Sequence, residues 1–399
     1  TPVSTASLRS PVRNAGLGSV YLPGLRQVKE RGRGDGKVET MPVPAAMPTP
    51  PAAAPPAEAP AAKWRNPYKF LPRLRGMVQA AYVLFFVLAG IEFHSFYRQV
   101  VSGGPITAHR PPAMEGFLPI SALMGLKRLL LTGNYDEVHP AGLTILVAAI
   151  VSSFLARKAF CSWVCPVGGI SRALEWVGKK TLWRRRGKET LVHDGLDLAL
   201  TSLKYFLLAF FFRAIVIGMD KVAIHKFMTS TYNHAADAKM FLFFTDISRT
   251  AAITLIVLAA LSIVIKHFWC RYLCPYGALL GLVSWMSPER VLRDSETCTD
   301  CKACTRACPV EITVHKKNSV WTPECTGCMS CISSCPVENC LTVTKKGRNS
   351  WSPWLIPTVG LGTIFFLWGI ARVTGHWHTD LPLPTLVEAY RQAHTLIHP

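Results

Sequence analysis

Two runs of four cysteines are the residues of this chain best suited to chemistry. The runs are Cys298, Cys301, Cys304 and Cys308, and then Cys325, Cys328, Cys331 and Cys335. Each run has the spacing C-x2-C-x2-C-x3-C and is followed directly by a proline. Tandem runs of this form are typical of paired 4Fe–4S clusters, whereas zinc sites normally use two spaced cysteine pairs. The pattern predicts two [4Fe-4S] clusters and single-electron transfer, with two structural zinc sites as the alternative.

The ligand sets follow from the way such runs fold. The first three cysteines of one run surround one cluster, and the fourth cysteine reaches the other cluster. Cluster I is therefore predicted to take Cys298, Cys301, Cys304 and Cys335. Cluster II is predicted to take Cys308, Cys325, Cys328 and Cys331. Because these ligands must be thiolates, their domain is expected to face a reducing compartment.

Four further cysteines form an internal repeat, which we call the twin turns, Cys161–Cys165 and Cys270–Cys274. Both turns read C-x3-C-P-x-G, and both follow an apolar stretch. A spacing of four places both sulfurs on one side of a helical turn, so two turns brought together supply four thiolates. The repeat predicts a third iron–sulfur cluster or another metal at Cys161, Cys165, Cys270 and Cys274, with structural or redox-active free thiols as the alternative. Cys340 has no partner by spacing and is interpreted as a buried small side chain.

The composition is that of a membrane protein. Of 399 residues, 50% are hydrophobic and only 17% are charged. A formal net charge of +20 would suit nucleic-acid binding, but the basic residues cluster beside apolar segments. The positive-inside rule accounts for that placement, so no nucleic-acid partner is expected.

Five apolar stretches are candidates for crossing a bilayer core, which needs about 20 residues. They are residues 76–96, 140–156, 196–218, 250–265 and 354–373. Residues 117–131 are apolar but carry Lys127 and Arg128, which predicts an interfacial helix. Lys and Arg are most frequent before the first span and between the second and third spans. This distribution predicts a multi-pass protein of the bacterial inner membrane, with the N-terminus and the cysteine runs cytoplasmic and the C-terminus periplasmic.

The predicted fold is mainly α: a multi-span helical membrane protein with a small α+β bacterial-ferredoxin-like domain inserted before the last span. The predicted segments are a disordered, basic, Pro/Ala-rich cytoplasmic tail (1–62), a four-span membrane domain with the twin turns (63–287), a cytoplasmic 2×[4Fe-4S] ferredoxin domain (288–348), a fifth transmembrane helix (349–374) and a periplasmic tail (375–399). The tail prediction rests on residues 42–60, where 8 prolines and 7 alanines occur.

The twin turns followed by the tandem cysteine runs resemble the NapH/NosR/CcoG group of polyferredoxin-like membrane proteins, and the NapH type most. The resemblance covers residues 75–373. It implies electron flow between the quinone pool or the cytoplasm and periplasmic redox partners. NosR-type members carry a flavin domain ahead of the spans, for which residues 1–62 are too few, so no covalent flavin is expected. The fifth span and its tail depart from the four spans of the NapH type, and the tail is interpreted as a docking segment for a periplasmic cytochrome or reductase.

Other candidate residues are weaker. The sequence has no Cys-x-x-Cys-His motif, so no c-type haem is expected. His225 and His234, near Asp220 and Asp237, are interpreted either as solvated loop residues or as the lining of a quinol site. Charged residues inside apolar runs are expensive and often functional, although long ones also snorkel. The remaining candidates are Glu92, Lys204 and Arg213 in those runs, His94 and His267 as an improbable haem pair, His376 and His378 as a weak metal site, and Lys302, Arg306, Lys316 and Lys317 as groups that raise the cluster potentials.

The leading functional hypothesis is a membrane-bound iron–sulfur electron-transfer subunit of a bacterial respiratory complex. It relays electrons between the quinone pool or a cytoplasmic donor and a membrane or periplasmic cytochrome or reductase subunit. Catalysis is expected to belong to that partner, because the sequence shows no substrate-binding motif. The alternative is a copper or other metal reductase, or a maturation factor for a respiratory oxidase or reductase. A membrane anchor with purely structural clusters is the third possibility.

Overall fold

Helices dominate the fold, and their lengths follow the lengths of the apolar runs. The structure is a computed structural model that describes residues 66–183, 194–345 and 350–396. The predicted tail, residues 1–62, lies outside these residues. The α-helices are, in chain order, α1 (Leu71–Ser102), α2 (Pro119–Thr132), α3 (Pro140–Ala156), α4 (Pro166–Gly178), α5 (Asp194–Phe212), α6 (Lys221–Met228), α7 (Thr231–His234), α8 (Ala236–Thr245), α9 (Arg249–Val264), α10 (Pro275–Trp285), α11 (Ala303–Arg306), α12 (Ser330–Ser334), α13 (Leu355–Val373) and α14 (Leu383–Gln392). Shorter turns are 3-10 helical at Pro67–Phe70, Pro112–Phe117 and Val314–Lys316, and π-helical at Phe160–Val164, Lys179–Trp183, Arg213–Ile217 and Trp269–Leu273.

Three helical stretches of the described chain are long and apolar enough to cross a membrane, namely Pro67–Ser102, Gly195–Ile217 and Leu355–Val373. Helices α8 and α9 meet at 77° and supply a fourth span if the bent pair makes one crossing. Helix α3 is apolar but has 17 residues. Such a helix is about 26 Å long, against a hydrocarbon core of about 30 Å. The prediction of a mainly helical membrane protein is confirmed, but the predicted spans 140–156 and 250–265 form helices shorter than a full crossing.

Helix α3 lies at the centre of the helical layer, where it packs against α2, α10 and α13. Its small residues Ala141, Ala149 and Ala156 are fully buried. Small side chains allow neighbouring helices to approach closely. At Gly360 of α13, an added Cβ would lie 2.4 Å from the Cβ of Ala159. The contact between α13 and the turn that follows α3 therefore needs glycine at this position.

A four-stranded antiparallel sheet forms the base of the predicted ferredoxin domain. The strands are β1 (Glu289–Arg293), β2 (Ser319–Val320), β3 (Leu341–Lys345) and β4 (Ser350–Trp351), in the order β2-β1-β3-β4. Val291 of β1 pairs with Val320 of β2 and with Val343 of β3. All three valines are buried, at 0–2% exposure. Because side chains alternate between the two faces of a strand, the face that carries these valines forms the small hydrophobic core of the domain.

The ferredoxin domain packs on the side of the helical layer that carries the twin turns, which we call the cysteine side. Asn66, just before the first helical turn, donates from Nδ2 to the carbonyls of Ile332 (2.7 Å) and Cys335 (3.0 Å). The Ser162 hydroxyl, within the first twin turn, donates to the Thr326 carbonyl at 2.8 Å. The two cysteine-bearing parts of the chain are therefore joined by direct hydrogen bonds.

The segment after α13 folds back onto the opposite side of the layer, which we call the far side. Tyr390 of α14 is fully buried, and its ring packs against Phe93 and Phe96 of α1. The Asp380 N–H donates to the Glu137 carbonyl at 3.0 Å. The segment interpreted from sequence as a docking tail is thus held by contacts within the chain.

Candidate functional site

The cysteines assigned to cluster I share one small cavity. Its lining includes Cys298, Cys301 and Cys304 of the first run and Cys335 of the second run. The chain around this set curls through left-handed residues, Asp300 (φ 50°) and Lys302 (φ 60°). The structure therefore brings together the four sulfurs that the crossed wiring requires.

The cysteines assigned to cluster II are also neighbours. Burial, followed by the charges of Cys328 and Cys325, raises the pKa of the Cys308 thiol to about 12. Burial, followed by the charges of Cys328, Cys325, Cys308 and Cys304, raises the pKa of Cys331 well above its usual value. In the second run Gly327 (φ 63°) and Met329 (φ 58°) repeat the backbone of the first. Both runs thus wrap their sulfurs with the same loop.

A cation from the membrane layer faces this second set. Burial favours the neutral thiol of Cys328, but the Arg75 guanidinium and hydrogen bonds from Ser330 outweigh it and lower the Cys328 pKa. The Ile312 N–H donates to the Cys308 sulfur at 3.4 Å. Both interactions favour negative charge on sulfur, which is the state that a metal ligand needs.

The twin turns have the same backbone. In each, the first cysteine lies within one π-helical turn. The second cysteine donates its N–H to the carbonyl five residues earlier: Cys165 to Phe160 (2.9 Å) and Cys274 to Trp269 (3.0 Å). Each second cysteine then precedes a helix that starts with proline. Single π turns inside helical segments are frequent at functional sites. At Gly168, an added Cβ would lie 2.5 Å from the Cys161 carbonyl oxygen, so close backbone approach requires glycine in the first turn.

All four twin-turn cysteines line one end of a large cavity. Burial and neighbouring thiols raise the pKa of Cys270 to about 12, and burial raises that of Cys165 to about 11. Thiols with such pKa values stay protonated at neutral pH unless a metal displaces the protons. The donor set therefore fits a cluster cation. In the described chain, the cysteines assigned to cluster I and the twin-turn cysteines each line one cavity. No three Cys, His, Asp or Glu side chains of the described residues converge on a position for a single ion.

The cavity has a volume of about 1050 Å³ and extends from the cysteine side to the far side of the layer. Aromatic and aliphatic side chains form most of its wall. Among them are Tyr82, Phe85, Phe86, Phe117, Ile145, Phe160, Phe211, Ile364, Phe365, Trp368 and Trp377. Polar side chains occur mainly at the cysteine end, and they include Arg75, Gln79, Lys158, His267 and Glu324. A pocket of this size and character suits a large apolar ligand with a polar head.

Charged pairs fix the ferredoxin domain to the twin turns. Glu324, next to Cys325, lies 3.8 Å from Lys158 and also pairs with Lys204 of α5. These two lysines outweigh the effect of burial and lower the Glu324 pKa. The sequence singled out Lys204 as a costly charge in an apolar run, and the structure gives that charge a carboxylate partner.

A second group of charges joins the other twin turn to the domain. Arg271 pairs with Glu311 of the ferredoxin domain and, at 2.7 Å, with Asp197 of α5. Lys266 lies 3.5 Å from the same Glu311 carboxylate. Each twin turn is therefore tied to the ferredoxin domain by its own ion cluster.

The remaining sequence candidates lie elsewhere. His225 is exposed, and neither it nor the half-buried His234 lines the cavity. His376 contacts Thr374, whereas His378 contacts Arg372. The other candidates are exposed, namely Glu92, His94, Arg213, Lys302, Arg306, Lys316 and Lys317.

Sequence reasoning missed two features. Cys340 is buried as predicted, at 3% exposure, but it also lines the cavity of the first cysteine set. On the far side, Arg110 is buried among Glu115 (2.9 Å), Asp237 (2.8 Å) and His139 (3.3 Å). The signal available for this cluster was Asp237, which the sequence placed only in a loop.

Comparison with known proteins agrees with this geometry. A family described as "4Fe-4S binding domain" matches residues 138–186 and 250–293, which contain the twin turns. A family described as "4Fe-4S dicluster domain" matches residues 290–336. The putative electron transport protein YccM of Escherichia coli (strain K12) is 40% identical over 279 residues, which cover 68% of this chain and 77% of that protein. The chain belongs to the NapH-type polyferredoxin family.

Other relatives match this NapH-type polyferredoxin with lower identity and over a smaller share of the chain. Ferredoxin-type protein NapH of Haemophilus influenzae is 27% identical over 43% of this chain and 55% of its own length. Methylamine utilization ferredoxin-type protein MauN of Methylorubrum extorquens is 28% identical over 48% of this chain and 61% of its own length. No solved structure matches. The NapH-type polyferredoxin described here is a membrane protein that binds iron–sulfur clusters and transports electrons.

Proposed function

We propose that this protein is an electron-transfer subunit that passes electrons between a quinol in the membrane cavity and a partner redox protein. Three iron–sulfur centres carry the electrons. Cluster I takes Cys298, Cys301, Cys304 and Cys335, cluster II takes Cys308, Cys325, Cys328 and Cys331, and the third centre takes Cys161, Cys165, Cys270 and Cys274.

One observation supports this proposal above the others. Cysteines from two halves of an internal repeat lie at the polar end of a cavity of about 1050 Å³ in the helical layer. Ion pairs of Lys158 with Glu324 and of Arg271 with Glu311 hold the ferredoxin domain directly against the same turns. The twin-turn cysteines therefore lie between a ligand in the cavity and the tandem runs. An electron relay needs this order.

A hydroquinone with an isoprenoid tail suits the cavity. The long apolar wall accommodates the tail, and the polar groups at the cysteine end suit the ring hydroxyls. Gln79, for example, lines the cavity and is fixed by its Nε2–H donation to the Ser162 carbonyl at 2.9 Å. Oxidation at that end would place the electrons beside the twin turns.

The protein's own residues control the centres in three ways. Burial excludes water from the sulfurs, N–H groups such as that of Gly277, 3.2 Å from the Cys274 sulfur, stabilise negative charge, and Arg75 places a positive charge near Cys328. Burial lowers the potential at which a bound cluster accepts an electron, whereas the N–H donors and the Arg75 charge raise it. The clusters themselves supply one-electron storage. Exposed lysines and arginines of the ferredoxin domain, such as Lys302 and Arg306, act in the same direction as Arg75.

The positive-inside rule places the cysteine side in the cytoplasm and the far side in the periplasm of a bacterial inner membrane. Electrons that leave the cavity are then delivered first to cytoplasmic-side clusters. A membrane or periplasmic cytochrome or reductase subunit completes the path and carries out the terminal reaction.

A metal reductase or maturation factor is the second candidate. The observation that favours it is the position of the twin turns in the cavity wall, where a copper ion that enters the cavity would meet thiols. Purification separates the two functions. A respiratory subunit copurifies with a redox partner, whereas a maturation factor is isolated alone and reduces Cu(II).

The proposed function is tested by quinol-driven reduction of the clusters. Anaerobically purified protein is oxidised, mixed with a short-chain ubiquinol or with menadiol, and followed by visible absorbance and EPR. We expect reduction that a quinone-site inhibitor suppresses. Clusters that dithionite reduces but neither quinol reduces would overturn the quinol half of the proposal, and copper reduction by the isolated chain would favour the second candidate.

A further inference from the structure

Among the described residues that line the cavity, one is a histidine, His267, which lies three residues before Cys270. Its Nε2 lies 3.0 Å from Oε2 of Glu175 on α4, and the two side chains are only 12% and 8% exposed. Nε2–H donation to a carboxylate leaves Nδ1 as the ring nitrogen with a free lone pair. Nδ1 has no hydrogen-bond partner within the described chain. The cavity therefore borders a largely buried imidazole that is oriented by a carboxylate and still able to accept a proton.

The carboxylate behind His267 stays ionised. Burial alone would raise the Glu175 pKa, but the hydrogen bond and charge of His267, together with those of Lys179, lower it to about 2. Oε1 of Glu175 lies 2.7 Å from Nζ of Lys179, whose side chain is 55% exposed. Arg172 is a further charged group near Glu175, and it faces Arg75 of α1. The pair is thus continuous with solvent on the cysteine side through Lys179.

The other acidic or imidazole group in the cavity wall is a poor base. Among the described residues that line the cavity, His267 and Glu324 are the two whose side chains are carboxylates or imidazoles. Glu324 is already engaged by Lys158, Lys204 and the Tyr205 hydroxyl. Proton acceptance at that carboxylate would break two ion pairs. His267 has no such competing cation bonded to it.

We infer that His267 is the residue that accepts the protons of a hydroquinone oxidised in the cavity, and that Glu175 positions its ring and stabilises the charged imidazole. The inference rests on the proposed function and adds its proton pathway. A hydroquinone becomes a quinone by losing two electrons and two protons. The electrons leave one at a time to the iron–sulfur centres, and each is accompanied by one proton to Nδ1 of His267. The ring releases each proton to the cysteine side past Glu175 and Lys179 before it accepts the next.

This role makes Glu175 a positioning residue of the kind that holds a histidine base in hydrolases. A purely structural pair, which only joins α4 to the second twin turn, would affect folding but not the pH dependence of electron transfer. The backbone of His267 is left-handed (φ 52°). A substitution that separates the proton-accepting role from the structural role must therefore disturb this turn as little as possible. Glutamine retains an N–H at the position of Nε2 but cannot accept a proton.

The test compares H267Q and E175Q with wild-type protein and with H394Q, in which the exposed His394 of the C-terminal segment is replaced in the same way. Quinol-driven cluster reduction is measured by stopped flow from pH 5.5 to 8.5, and proton release is followed with an indicator dye. Quenching of tryptophan fluorescence by the quinone reports binding separately. Dithionite reduction reports whether the clusters are intact.

We expect H267Q to slow quinol-driven reduction by about 100-fold or more, as loss of a general base does, with quinone binding and dithionite reduction unchanged. The fall in rate toward acid pH, present in the wild type, should be absent. In E175Q that fall should move to lower pH, because a charged imidazole is less stable without the carboxylate. H394Q should match the wild type.

The outcomes distinguish the two proposals. If wild-type clusters accept no electrons from either quinol, the proposed function fails. If the wild type is reduced and H267Q keeps both its rate and its acid limb, the function stands and the proton role of His267 is overturned. Should H267Q lose its clusters, E175Q decides the matter, and an unshifted pH profile in that variant counts against the inference.

Discussion

The Lys158 ammonium lies 3.8 Å from the Glu324 carboxylate, and this contact joins the first twin turn to the residue next to Cys325. Lys204 binds the same carboxylate from the membrane helix α5. Both lysines are almost fully buried, with side-chain exposures of 5% and 1%. One of the two ion clusters that join the twin turns to the ferredoxin domain therefore depends on a single glutamate.

Replacement of Glu324 by glutamine should loosen the ferredoxin domain. The change leaves two buried cations without their carboxylate, and loss of one partner of a buried ion pair typically costs about 3–5 kcal/mol. Limited proteolysis and hydrogen exchange at residues 288–345 should show faster opening than in wild type. The matched change E338Q, at an exposed glutamate of the same domain, should have no effect, and equal protection in E324Q and wild type would contradict this account.

Replacement of Gly168 by alanine should disturb the twin-turn site selectively. The new Cβ would approach the Cys161 carbonyl oxygen to 2.5 Å, so the first turn must shift. We expect weakened or lost EPR signals of the third centre, with signals of clusters I and II retained. Gly362 of α13 has no atom within 4 Å of an added Cβ, so G362A should retain every signal. A G168A protein with unchanged spectra would show that the turn does not hold a cofactor.

Filling the cavity should block quinol without affecting the clusters. Ala148 of α3 is buried and lines the cavity, so A148F places a ring in the space that the ligand would occupy. Quinone affinity, measured by tryptophan quenching, should fall at least tenfold, while iron content and dithionite reduction remain normal. Ala260 of α9 is exposed on the membrane layer, and A260F serves as the control. Unchanged affinity in A148F would place the ligand elsewhere.

Removal of the Arg75 charge should lower the potential of cluster II. Reduction adds negative charge, and the guanidinium beside Cys328 stabilises it. We expect R75M to lower this potential by on the order of 50 mV, about 1 kcal/mol for a one-electron couple. Arg73 is exposed on the same helix, and R73M should change the potential little. A rise or no change in R75M, measured by EPR-monitored redox titration, would contradict the assignment.

Much of the architecture was predictable because its signals are local. The apolar runs predicted the long helices, and the C-x3-C-P-x-G repeat predicted two equivalent turns, which the π-helical segments Phe160–Val164 and Trp269–Leu273 now show. Ligand assignments for the three cysteine sets remain predictions, although each set is brought together in space. The number of full membrane crossings was less predictable, because a bend of 77° before α9 leaves no trace in hydropathy.

The features that sequence could not supply depend on long-range contacts. From the sequence, His267 was considered only as half of a haem pair. Glu175, its partner, and most of the cavity wall come from distant parts of the chain. Lys204 read as an isolated charge, because its partner lies 120 residues away in a different domain. The C-terminal segment was interpreted as a docking tail for a partner, because burial of Tyr390 against α1 follows from packing rather than from composition.

The central claim is that sulfurs at the cysteine side hold three iron–sulfur centres, and metal analysis tests it most directly. Iron, zinc and acid-labile sulfide are counted in anaerobically purified wild type, C161S and C270S, with EPR of the reduced proteins. The account predicts about twelve irons in the wild type if the third centre is also a four-iron cluster, and about eight in each variant. Zinc in the tandem cysteine sets and a colourless protein would contradict it.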